Sequence, residues 1–118
     1  MADYEHKSME KPDETRTPNN AKVEVVKLAG GSVARATYMP GWRWSNDIKP
    51  IAKTDWCEVD HAGYIVSGRL NVKLASGEEF EAGPGDIVTL TAQHDAWTIG
   101  NEPVVMIDWG AVANFAKA

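Results

Sequence analysis

Asp55, Cys57, His61 and His94 are the residues of this chain whose types and spacing could do chemistry. A cysteine thiolate and neutral imidazoles are good ligands for Zn, Fe, Ni or Cu. With a carboxylate they form a mixed set around one divalent transition metal, while carboxylate and imidazole alone would suit Fe or Mn better. In an extended segment Asp55 and Cys57 fall on the same side, so both can reach one ion. Glu58 is a weaker carboxylate candidate. Without a metal, the two imidazoles titrate near neutral pH and suit acid–base work or the orienting of a polar ligand. Cys57 with His61 four residues on would also make a nucleophile and base pair. Plainer roles stand beside these. A single cysteine is commonly a small buried hydrophobe, and a histidine beside a turn commonly satisfies local backbone groups. Trp44, Tyr64 and Trp97 are the expected walls of a ligand pocket, although aromatic residues in a small domain serve the core by default.

Strands and tight turns must hold these residues. Val23, Val25 and Val26 to Leu28 read as a first strand, Gly30-Gly31 as a turn, and Ser32 to Met39 as a second strand. Trp42 and Trp44 project to one face of an extended segment with Arg43 opposite, closing a barrel mouth or lining a pocket. Asn46 to Thr54 carries Pro50 and reads as a loop over one end of the sheet. Tyr64-Ile-Val66, the turn signal Ser67-Gly68 and the alternating Leu70, Val72 and Leu74 predict a β-hairpin. Glu78 to Glu81 alternates around Phe80, and Gly83-Pro-Gly-Asp86 predicts a tight turn before a strand at Ile87 to Leu90. Thr91 to Asp95 form a polar corner holding His94, and Trp97 to Ile99 resume an extended pattern. Val104 to Ile107, apolar on both faces, predicts an interior strand, and Ala111 to Ala118 one or two helical turns. Eight to ten short strands with regular turn signals and almost no helix predict an all-β sandwich or barrel.

The 118 residues fit one domain, and 43% hydrophobic content agrees with a globular core. A net charge of −5 and a pI near 5.1, with scattered Lys and Arg, argue against nucleic acid as a partner. One cysteine excludes an intramolecular disulfide, and neither a membrane span nor a secretory leader is evident, so a soluble cytoplasmic protein is the expectation. Residues 1–20 are charged and polar and are expected as a flexible arm, followed by the barrel over residues 21–118. The arm and first strand are expected to pair with a second subunit, giving a homodimer.

Four stretches carry a family resemblance: Pro40-Gly-Trp-Arg-Trp44, Cys57 to Leu70, Gly83-Pro-Gly-Asp86 and His94-Asp-Ala-Trp97. The pattern resembles the small single-domain bacterial cupins of the type-2, conserved-barrel kind. The resemblance implies a double-stranded β-helix, or jelly-roll, barrel. In the first motif of that family, counting back from Gly68, the usual glutamate falls on His61 and the two usual histidines on Cys57 and Asp55. All three are replaced, each by another metal-capable residue. In the second motif, counting from Gly83 reaches His94, whereas counting from Gly85-Asp86 reaches Ala96. The resemblance implies action on a small molecule in the barrel mouth, with two functions open. One is a metal-dependent enzyme of dioxygenase or isomerase type using Fe, Zn, Ni, Mn or Cu. The other is a non-catalytic ligand-binding or sensory module.

Overall fold

The β-branched runs of the sequence alternate inward and outward, and the chain closes their inward faces on each other. The structure is a computed structural model describing residues 3–112 together with 115 and 116. Its described strands are β1 (Glu14–Arg16), β2 (Ala21–Leu28), β3 (Gly31–Tyr38), β4 (His61–Ser67), β5 (Leu70–Leu74), β6 (Glu79–Ala82), β7 (Ile87–Leu90), β8 (His94–Thr98) and β9 (Val104–Asp108). They form a six-stranded antiparallel sheet in the order β1-β2-β3-β9-β4-β7 and a three-stranded sheet in the order β6-β5-β8. This is a jelly roll. Val23, Val25, Ala36, Ile65, Val72 and Val104 fill the space between the sheets, none more than 1% exposed. Each of the valines and Ile65 contributes about 1.5–3 kcal/mol by leaving water, and Ala36 less than about 1 kcal/mol.

Two expectations are corrected. The Tyr64 to Leu74 stretch is not a hairpin: β4 pairs with β7 and β9 in the large sheet, while β5 pairs with β6 and β8 in the small one. Ser67-Gly68 is instead the corner where the chain crosses between sheets. Gly68 sits there at φ +79°, and a Cβ would lie 2.3 Å from the Pro103 carbonyl oxygen, so the corner demands glycine on two counts. The second correction concerns residues 1–20. Glu14–Arg16 pairs with β2 in register Glu14↔Val25, so part of the expected arm is the sheet's own edge strand. Further out, Lys7 reaches Asp13 and the Lys27 carbonyl, and Glu10 pairs with Arg35. β1 therefore covers within one chain the edge that was expected to await a second subunit.

The expected loop over Asn46 to Thr54 contains two single helical turns, α1 (Trp44–Asp47) and α2 (Lys49–Ala52). Pro50 falls in the first turn of α2, where its missing N–H costs nothing. Among the described residues no helix is long and apolar enough to cross a membrane. The helical turns expected over Ala111 to Ala118 fall partly on residues 113, 114, 117 and 118, outside the described residues. Val112, Phe115 and Ala116 are buried against the barrel. Arg16 of β1 fixes that segment, its Nη1 donating to the carbonyls of Val112 (2.6 Å) and Phe115 (2.7 Å).

Candidate metal centre

Backbone pairing assembles the site. Cys57 forms an isolated antiparallel bridge with His94, its N–H donating to the His94 carbonyl (2.8 Å) and its carbonyl accepting from the His94 N–H (3.2 Å). Residues directly opposite in such a bridge carry their side chains on one face, so Cys57 and His94 are neighbours by construction. His61 opens β4, whose alternation turns His61, Gly63 and Ile65 inward. The His61 imidazole thus faces the cysteine from the other sheet, with its Nε2 3.7 Å from the Cys57 Sγ. The metal-capable atoms of Cys57, His61 and His94 all lie within 4.8 Å of one another. The two imidazoles meet edge to face, with ring centroids 5.2 Å apart.

Both histidines have their outer nitrogen held. Asp108 Oδ2 accepts from His61 Nδ1 at 2.6 Å, and the Ala92 carbonyl accepts from His94 Nδ1 at 2.9 Å. Each bond places the proton on Nδ1 and leaves Nε2 as the nitrogen available to a metal. Asp108 is itself positioned, because its Oδ1 accepts from the Gly110 N–H at 2.9 Å. Gly63, paired with Asp108 across the ladder, permits the close approach of β9: a Cβ there would lie 2.3 Å from the Ile107 carbonyl oxygen.

Burial pushes the Cys57 thiol up, but hydrogen bonds from His61 and His94 outweigh it and bring the thiol down to about 6. Burial likewise pushes His61 down, and its hydrogen bonds with Asp108 and Cys57 reverse this and raise it to about 9. In the metal-free site the pair therefore stands as thiolate and imidazolium near neutral pH, and an ion at His61 Nε2 would displace the proton from that nitrogen while Asp108 keeps the one on Nδ1. The donor set suits a borderline metal. For ligand bonds of about 2.0–2.3 Å a tetrahedral site has edges of roughly 3.3–3.8 Å, which the Cys57–His61 distance meets. A metal-ligating histidine ordinarily donates its other nitrogen to a carboxylate or carbonyl, as both do here. Three protein donors leave a coordination position for water or a ligand.

Asp55 stands apart from the group. It lies in solvent with its side chain 92% exposed, 3.6 Å from the Lys49 ammonium. Glu58 is also exposed and accepts from Gln93. Of the expected pocket walls, Trp44 lines the barrel cavity with Tyr38, Trp42, Leu70, Val72 and Phe115, next to His61 and His94. The cavity is narrow, about 30 Å³, room for about two waters. Tyr64 is not a wall: the alternation that turns His61 inward turns Tyr64 outward, leaving it 40% exposed. Trp97 packs instead under the Arg43 guanidinium, 4.1 Å from the ring centroid. Asp108 went unnoticed in the sequence. Val104 and Met106 share its inward face, and a carboxylate at the third inward position of an apolar strand was the available signal.

No family model matches the sequence, and no curated protein matches it in sequence. Solved structures do resemble it. An ectoine synthase from P. lautus aligns over 92% of this chain and 79% of its own, with TM-score 0.65 and 14% identity. A protein of unknown function from Rhizobium leguminosarum bv. viciae 3841 aligns over 92% and 99%, with TM-score 0.64 and 19% identity. KdgF from a Halomonas species aligns over 83% and 86%, with TM-score 0.58 and 16% identity. At these identities the likeness shows the fold, the cupin jelly roll, and function must be argued from the site.

Proposed function

We propose that Cys57, His61 and His94 hold one divalent transition-metal ion, and that the protein acts there on a small organic molecule received in the barrel cavity. The observation that carries this is the convergence of three donor atoms within 4.8 Å, two of them on imidazoles whose outer nitrogens are already hydrogen-bonded. A bound ion of this class supplies a Lewis acid that polarises an oxygen of the substrate. The chain's own residues do the rest. Asp108 keeps the His61 proton on Nδ1, and the Ala92 carbonyl does the same for His94. Tyr38, Trp42, Trp44 and Phe115 exclude bulk water, which strengthens every electrostatic contact inside. The narrowness of the cavity and its sealing by Phe115 favour a second reading, a module that holds a small ligand without transforming it.

The test is metal content of the full chain purified without an affinity tag. About one equivalent of transition metal per chain, lost in Cys57→Ala and His94→Ala, is the expected result. A metal-free wild type that also fails to take up added Zn, Fe, Ni, Mn or Cu would remove the reading.

A homodimer belongs to the same proposal, through a different surface from the arm. The outward face of the large sheet carries Tyr64, Val66, Ile87 and Trp109, exposed by 40, 47, 65 and 48%. Its edge strand β7 pairs on one side only. Apolar side chains beside an open strand edge are features that a second copy would cover.

A further inference from the structure

Two residues of the cavity wall carry hydrogen-bond donors without a partner among the described residues. The indole Nε1 atoms of Trp42 and Trp44 are buried, and neither finds an acceptor there. Both residues are only 2% exposed, and both line the cavity that His61 and His94 also line. Buried donors left unpaired are rare because each forfeits its hydration, so a pair of them on one cavity calls for an acceptor supplied from outside the chain.

The chemistry of that acceptor is restricted. An indole N–H can only donate. A water accepting from it brings two hydrogens of its own, which Leu70, Val72, Val88 and Met106 in the same wall cannot accept and only the His61, His94 and Tyr38 side could. A carbonyl oxygen has two lone pairs and no hydrogen, which matches two donor-only groups without remainder. No lysine or arginine is among the described residues lining the cavity, so the ligand's charge would have to be balanced by an ion at Cys57, His61 and His94. A neutral carbonyl needs no such balance. Trp44 and Phe115 also line a cleft of about 240 Å³ that reaches Cys57 from the α2 side, so movement of Phe115 would join cleft and cavity.

We propose that the cavity takes a short carbonyl compound, whose oxygen accepts hydrogen bonds from the Trp42 and Trp44 indoles and whose apolar part lies against Leu70, Val72 and Val88. The inference rests on the reading of this cavity as the working site and names the class of molecule it receives.

The experiment uses the ¹⁵N-labelled full chain and follows its five indole N–H resonances during titration with acetone, acetate or isobutene, planar molecules of closely similar shape. Assignment comes from Trp44→Phe and from through-bond correlation, so it does not depend on a Trp42 variant folding. Acetone is expected to move the Trp42 and Trp44 indole protons downfield and to bind roughly tenfold more tightly than isobutene, which fills the space without an acceptor. Trp44→Phe should weaken acetone by a similar factor while leaving isobutene unchanged. Acetate is expected to match acetone only after Zn²⁺ is added. Indoles that acetone leaves unmoved, or that isobutene moves equally, would overturn the proposal. Failure of Zn²⁺ to bind would overturn the metal centre while the acetone result stands, and acetone failing on the zinc-loaded protein would overturn the carbonyl ligand alone.

Discussion

Asp108→Asn is the sharpest perturbation of the site, because an amide cannot serve both contacts the carboxylate serves. Asp108 Oδ2 accepts from His61 Nδ1 at 2.6 Å while Oδ1 accepts from the Gly110 N–H at 2.9 Å. Asparagine has one acceptor oxygen. If that oxygen stays with Gly110, the amide NH₂ faces His61, whose Nδ1 must then accept, and the ring proton moves to Nε2, the atom that faces Cys57. The neutral ring that must ligate then holds its proton on Nε2 instead of Nδ1, and that nitrogen cannot bind a metal until the proton leaves it. Loss of an outer-sphere partner costs about 10–100-fold in metal affinity, roughly 1.4–2.7 kcal/mol, and a forced tautomer places this variant at the upper end. If instead the oxygen turns to His61, the part-buried Gly110 N–H loses its acceptor and stability falls by about 0.5–1.5 kcal/mol. The assays are Zn²⁺ competition against a chromophoric chelator and a urea titration on the same preparation. An Asp108→Asn protein with zinc affinity within threefold of wild type and an unchanged unfolding midpoint would refute the reasoning, since it would keep both bonds with one acceptor.

Other outcomes follow from the same geometry. His94→Ala should abolish metal retention, whereas Asp55→Ala should leave it unchanged, because the Asp55 side chain is 92% exposed beside Lys49; metal analysis of the two variants checks this. In metal-free protein the Cys57 thiolate should develop with a midpoint near 6, read by ultraviolet absorbance and alkylation rate, and His61→Ala should move it upward; a midpoint near the ordinary thiol value of 9.0 would contradict the pairing. The linked stability effects oppose each other. His61, raised from 6.5 to about 9, contributes stability that is present below 6.5 and lost as pH rises through 9, while Cys57, lowered from 9.0 to about 6, contributes stability that is present above 9 and lost as pH falls through 6. Stability from the pair should therefore be nearly flat between about pH 6.5 and 9, and a steep slope there in denaturant titrations would contradict it. Gly68→Ala should cost more than about 2 kcal/mol by urea unfolding, since it combines a left-handed φ with a backbone clash. Ile87→Lys should lower the mass measured by light scattering from two chains to one, and a wild-type monomer at tens of micromolar would remove the dimer.

The fold was legible where local chemistry decided it. Ile87 to Leu90 and the apolar run from Val104 declare themselves by alternation and burial, and the Gly83-Pro-Gly-Asp86 turn by backbone preference. Which sheet a strand joins was not legible between Ser67 and Leu70, because a hairpin turn and an inter-sheet corner use the same residues and differ only in contacts far along the chain, here with Pro103. Residues 1–20 misled for a related reason. Their composition predicts no core of their own, yet Glu14–Arg16 needs none, since it borrows backbone partners from β2. At the site, residue type identified Cys57, His61 and His94, but distance along the sequence carried no information about Asp108. Tyr64 lies three residues after His61 in β4, an odd separation that sends it to the opposite face.

The contact of Arg16 with the carbonyls of Val112 and Phe115 joins positions separated by 96 and 99 residues. Closing a loop of that length carries an entropy cost that grows with the logarithm of its size, about 4 kcal/mol before the constant term. The paired strands between bring the two ends within reach, and Phe115 lies outside both sheets, so its seating over the cavity is expected late in folding. Amide exchange in the native state should show the backbone around Phe115 opening at a far smaller free energy than Ile65 in β4, giving the cavity an intermittent doorway while the barrel stays closed.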